Sequence, residues 1–157
     1  MASSRPNRPS PLARGTLRRL VWLAFGAALI GFAIYEVVVH DLGPLPIVAF
    51  ALLPDLTFLA GAGQPHQPGQ LPPRAVPLYN LAHRPVVPVV LIVATLVVLV
   101  AIRLQASSPE NFGAARHVPL IAYVAGIAWL AHIALDRALG FALRTPDGWQ
   151  RSSPNAR

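Results

Sequence analysis

The 157 residues contain no lysine and no cysteine, and only six of them are acidic. Without cysteine there is no disulfide, no thiolate metal ligand, no iron–sulfur cluster and no cysteine nucleophile. The compartment therefore leaves no mark in thiol usage. Charged residues of both signs make up 12% of the chain, about half of the roughly 25% that covers an ordinary soluble domain. That shortage argues against a soluble enzyme, a coiled coil and a disordered chain. Serine is missing from every apolar run: Ser3, Ser4, Ser10, Ser107, Ser108, Ser152 and Ser153 all fall in tails or loops. A serine hydrolase buried in a membrane is disfavoured, because its nucleophile must touch its base.

Apolar residues make up 54% of the chain. They collect into four runs, at 20–39, 45–62, 77–102 and 118–143. A transmembrane helix needs about 20 largely apolar residues to cross a hydrocarbon core about 30 Å thick. The expectation is an all-α, four-span helix bundle over residues 18–149. A Ser/Pro/Arg-rich arm at 1–17 that cannot bury enough to fold would precede it, and a flexible tail at 150–157 would follow. The run after the arm is too long for a signal-peptide core and reads as an uncleaved anchor. All 13 basic residues are arginine. They are scattered without aromatic interleaving, so nucleic acid is not the expected partner. Their asymmetry reads as topology instead. Arg5, Arg8, Arg14, Arg18 and Arg19 precede the first run, and the loop after it has none. Both termini are therefore expected on the cytoplasmic side. Arg144, Arg151 and Arg157 agree, while Arg103 and Arg116 dissent. Five prolines between Gln64 and Pro77 read as an extended surface loop.

Ionisable groups at membrane depth are costly and mark function by default. Asp55 lies in the second run, His132 and Asp136 in the fourth, and His83 at the start of the third. His132 and Asp136 are four residues apart, which puts them on one helix face at about 5–6 Å. Helical rise places all four residues in one layer, roughly 10–16 Å from the cytoplasmic ends of their helices. A Pro85 that starts the third helix would remove His83 from that layer. Imidazole with carboxylate is the ligand chemistry of zinc, iron or manganese. The expected metal ligands are Asp55, His83, His132 and Asp136, of which Asp55, His132 and Asp136 are also catalytic candidates. Asn80, Arg137 and Asp147 would position substrate. The same groups also suit a network that locks helices together, with Arg137 pairing Asp136 or Asp55. A bis-histidine haem on His83 and His132 is a third arrangement.

Several motifs carry a family likeness. They are Leu53-Pro54-Asp55-Leu56-Thr57-Phe58, Tyr79-Asn80-Leu81-Ala82-His83 and Trp129-Leu130-Ala131-His132-Ile133-Ala134-Leu135-Asp136-Arg137. The likeness continues through Leu139-Gly140-Phe141-Ala142-Leu143 into Pro146-Asp147-Gly148-Trp149. The sequence resembles domain-of-unknown-function family 4260 from about Leu20 to Trp149, with a more distant similarity to membrane-bound metal-dependent hydrolases. It departs from the family pattern at Leu20-Val21-Trp22, where the family has a glutamate, and in a tail without histidine. The resemblance implies a small multi-span protein of the bacterial inner membrane whose activity is not established. A divalent metal at the Asp/His layer would support hydrolysis of a lipid or lipid-linked substrate. The alternative is a non-enzymatic small subunit of a photosynthetic or respiratory complex, with other membrane subunits as partners.

Overall fold

The computed structural model describes residues 11–151. Residues 1–10 of the arm expected at 1–17, and residues 152–157 of the tail expected at 150–157, lie outside the described residues. Five α-helices and two 3-10 helices follow one another: α1 (Pro11–His40), α2 (Leu45–Leu52), a 3-10 helix (Asp55–Gly61), a short 3-10 turn (Pro73–Ala75), α3 (Val76–Ala82), α4 (Val86–Gln105) and α5 (Pro109–Leu139). Among the described residues there is no strand, only one isolated antiparallel bridge between Arg144 and Gln150. The all-α expectation holds. Three stretches are long and apolar enough to cross a membrane: Gly15–His40, Pro73–Gln105 and Pro109–Leu139.

The second expected span is not one continuous α-helix. Pro54 has no N–H, and its ring opposes the carbonyl four residues back. Accordingly α2 ends at Leu52, and the chain tightens into 3-10 winding from Asp55 to Gly61. Runs of 3-10 helix this long are uncommon. Residues 11–17 of the expected arm belong to α1, which begins at Pro11, a residue suited to the first helical position.

The third run divides at His83–Pro85. Pro85 starts α4, so Pro88 falls in its first turn, where no N–H is needed, and makes no kink. The exposed valines and leucines of α4 suit a hydrocarbon surrounding, where backbone donors must be satisfied within the helix.

The centre of the bundle is α5, which packs against α1, α2 and α4. Ser108 caps its start, accepting the Asn111 N–H at 3.3 Å. Gly140 ends it in the left-handed region at φ 95°. There the Phe141 N–H donates to the Asp136 carbonyl at 2.8 Å, a Schellman closure that stops the helix four residues short of the expected 143. Much of its middle is buried, at 124–128, Ala131, Ile133 and Ala134, largely with small residues that let neighbouring backbones approach. At Gly126 a Cβ would stand 2.8 Å from Ile92 Cγ1 on α4. Gly126→Ala is expected to destabilise the α4–α5 contact by roughly 1–3 kcal/mol. Thermal unfolding in detergent checks this, and an unchanged midpoint would refute the close packing.

The proline-rich segment is not a free surface loop. The Leu71 N–H donates to the Gly148 carbonyl at 2.9 Å, and Gln70 Nε2 donates to the Asp147 carbonyl at 2.7 Å. Leu71 buries its side chain with Ala75, Val76 and Tyr79 in a small satellite core. Pro72, the buried proline of the segment, brings no N–H that would need a partner there.

Candidate metal centre

The four members of the Asp/His layer come from three local structures. Asp55 opens the 3-10 helix, His83 closes α3, and His132 and Asp136 share one face of α5. His83 is 2% exposed, although Pro85 does start α4. The layer therefore keeps the member it was expected to lose. The reason is local: the His83 N–H bonds the Tyr79 carbonyl at 2.9 Å, which turns the chain inward before α4 begins.

The ligand atoms converge. His83 Nε2 lies 3.4 Å from Asp55 Oδ1 and 3.4 Å from Asp136 Oδ2. His132 Nε2 lies 3.6 Å from the former and 3.7 Å from the latter. The two Nε2 atoms are 3.3 Å apart. Ligands held tetrahedrally at about 2.0–2.1 Å from an ion stand about 3.3–3.4 Å from one another. Asp55, His83 and His132 thus outline a face that could hold a metal ion, and Asp136 with the same two histidines outlines another of similar size.

His83 is also oriented from behind. Its Nδ1 donates to the Tyr79 carbonyl at 2.8 Å, which fixes the tautomer and leaves the Nε2 lone pair facing the layer. Metal-binding histidines are held by this kind of outer hydrogen bond. The Tyr79 ring stacks on the imidazole at 3.9 Å, and Phe58 stacks on Tyr79 in turn at 5.3 Å. Trp129 Nε1 donates to the Ala82 carbonyl at 2.7 Å and so ties α5 to the last turn of α3. Electron-rich nitrogen and oxygen atoms are thereby pressed together, an arrangement that favours a cation at its centre.

A model described as Domain of unknown function (DUF4260) matches residues 21–153. The chain belongs to this family. No curated protein and no solved structure matches it. The matched DUF4260 region contains every residue of the layer and every element that positions it.

Other expected site residues of the DUF4260 chain lie elsewhere. Asn80 is spent on Arg144, accepting its backbone N–H at 2.8 Å and donating to its carbonyl at 2.9 Å. It braces the C-terminal segment instead of facing a substrate. Asp147 is exposed, and its contact is through its carbonyl to Gln70. Asn80 projects from α3 and Asp147 sits in a turn, and in both cases the partner is a backbone or side-chain group of the neighbouring segment that needs a hydrogen bond. Arg137 lines a recess with Tyr79, His83 and Asp136. Among the described residues it forms no ion pair with Asp55 or Asp136. Arg137 thus acts on Asp136 only from beyond ion-pair distance. Haem does not fit between the histidines: their rings are inclined at 60° with centroids 5.3 Å apart, leaving no slot for a porphyrin plane.

Sequence reasoning missed three supporting groups. Tyr79 and Trp129 act through or upon backbone carbonyls, which no residue pattern announces. Arg144 lays its guanidinium over the Tyr79 ring at 5.6 Å and donates to the Gly69 carbonyl at 3.1 Å. The four-residue spacing of Tyr79 and His83 was the one available signal. Glu36 and His40 form a pair at 3.4 Å near the C-terminal end of α1.

Proposed function

We propose that this chain is a membrane metalloprotein in which Asp55, His83, His132 and Asp136 hold a divalent zinc, iron or manganese ion. The site would support hydrolysis of a lipid or lipid-linked substrate in a bacterial inner membrane, with both termini cytoplasmic. The observation that carries this reading is the set of 3.3–3.7 Å separations among imidazole nitrogens and carboxylate oxygens from three elements. Such separations match the edges of a tetrahedral coordination shell, and among the described residues no arginine lies within ion-pair distance of either carboxylate.

An ion there would supply Lewis acidity and a readily deprotonated water. The protein's own groups support the water as nucleophile. Thr57, the hydroxyl nearest Asp55 in sequence, donates to the Pro54 carbonyl at 2.6 Å and is not free to attack. Asp55 has a 48% exposed side chain, so one carboxylate stands at the entrance while Asp136 sits deeper beside the imidazoles. Lipid as substrate is supported by an apolar cavity of about 160 Å³. It is walled by Ile30, Ala33, Ile47 and Ala51 and ends at His132.

Metal content of the detergent-purified protein, measured by mass spectrometry, tests this. Near-stoichiometric metal is expected in the wild type, and background levels in Asp55→Ala and His132→Ala. No metal in any sample, with both variants less stable, would overturn the reading. The cluster would then be helix glue, and the search would turn to a partner complex.

A further inference from the structure

On the cytoplasm-assigned end of the bundle, a cavity of about 360 Å³ opens between α1 and the end of α5. Arg18, Arg137 and Arg151 line it, with Trp22 on its wall. Arg19 crosses beside it, its guanidinium 3.1 Å from where a Gly140 Cβ would sit. Among the described residues no acidic group pairs with any of these arginines. They are not needed to finish α5 either, since the Asp136 and Arg137 carbonyls already accept the Phe141 and Gly140 N–H groups. Like charges gathered around one cavity repel unless an anion joins them.

We infer that this cavity is a phosphate site. Three guanidinium groups present forked donors that match phosphate oxygens, a geometry that compact cations do not offer. A tryptophan at the same level suits the headgroup zone of a bilayer. The cavity also adjoins the metal layer. It shares Arg137, Phe141 and Ala142 with the recess lined by Tyr79, His83 and Asp136. The phosphate is therefore the polar end of the substrate, and this part of the inference rests on the metal reading above. With the apolar cavity ending at His132 on the other side, the layer lies between a place for a hydrocarbon tail and a place for a phosphate.

Calorimetric titration of the full-length protein with dihexanoyl phosphatidic acid, dihexanoyl phosphatidylcholine and inorganic phosphate tests it. Phosphatidic acid is expected to bind at least ~10-fold more tightly than phosphatidylcholine, with affinity falling as salt rises. Arg18→Gln/Arg151→Gln, both exposed positions, should weaken that binding by ~10-fold or more. Arg103→Gln/Arg116→Gln removes the same charge at the dissenting loop and should stay within about twofold. Inorganic phosphate binding as tightly as the lipid, and equally dependent on Arg18 and Arg151, supports the site with free phosphate as its ligand. Equal loss in both double variants would overturn the inference, since net charge would then suffice. Undiminished binding in Arg18→Gln/Arg151→Gln would overturn it too. Metal content measured on the same wild-type samples separates the two proposals. Arginine-dependent binding by a wild type that carries no metal sinks the metal reading alone, and a metal-loaded wild type without arginine-dependent binding sinks the phosphate site alone.

Discussion

His83→Ala is expected to abolish metal binding outright, with an affinity loss beyond the ~10- to 100-fold that changes around a ligand produce. His83 is the one member whose reacting nitrogen lies within 3.4 Å of all three others. It is also the most deeply buried, so water cannot take its place without enlarging the site. The loss should exceed that of Asp55→Ala, whose half-exposed position a water can fill. Tyr79 isolates the second contribution. Its side chain stacks on the imidazole while its carbonyl fixes the tautomer. Tyr79→Leu keeps the carbonyl, so metal should be retained with weaker affinity. Calorimetric metal titration of the three variants checks the order, and a His83→Ala protein that binds metal like wild type would remove His83 from the site.

Gly148→Ala is expected to produce the largest structural loss. A Cβ at this position would overlap the Leu71 carbonyl oxygen, and the backbone sits at φ 88°, where side chains other than hydrogen are strained. The strain costs about 1–3 kcal/mol, and the displaced Leu71–Gly148 hydrogen bond adds about 0.5–1.5 kcal/mol. The effect should travel inward. Leu71 packs with Tyr79, and Tyr79 holds His83, so metal affinity should fall although residue 148 touches no ligand. Hydrogen exchange at the Leu71 and Thr145 amides reads the local opening. Protection unchanged from wild type would show that the contact contributes nothing.

The Asp/His layer was legible in the sequence because depth in a bilayer is nearly a linear count along the chain. Asp55, His83, His132 and Asp136 could be assigned one level without knowing the helix packing. The shared face of His132 and Asp136 followed from their spacing alone. The breaks were harder to read. Pro54 and Pro85 each admit a kink, a start or a stop, and only packing against α5 and the satellite core selects between them. Pro85 did mark a helix start, yet this did not expel His83, because the turn at Tyr79 had already directed it inward. Asn80 and Asp147 lay in the right motifs, but the backbone of the Arg144–Gln150 bridge claims the one and Gln70 contacts the other. The arginines at the bundle end read as topology alone. Their gathering around one cavity depends on where Gly140 ends α5, and helical periodicity does not reveal it.

The layer is contributed in equal halves. α5 is a single 31-residue rod that carries His132 and Asp136. Asp55 and His83 ride on short elements that pack mainly on one another: the 3-10 helix, the Pro73–Ala75 turn and α3. Neither half alone offers more than two of the four side chains. Occupancy of the layer is therefore thermodynamically linked to docking of one half against the other. On the metal reading proposed above, the layer would act in an inserted chain as a checkpoint that only the correctly assembled protein passes.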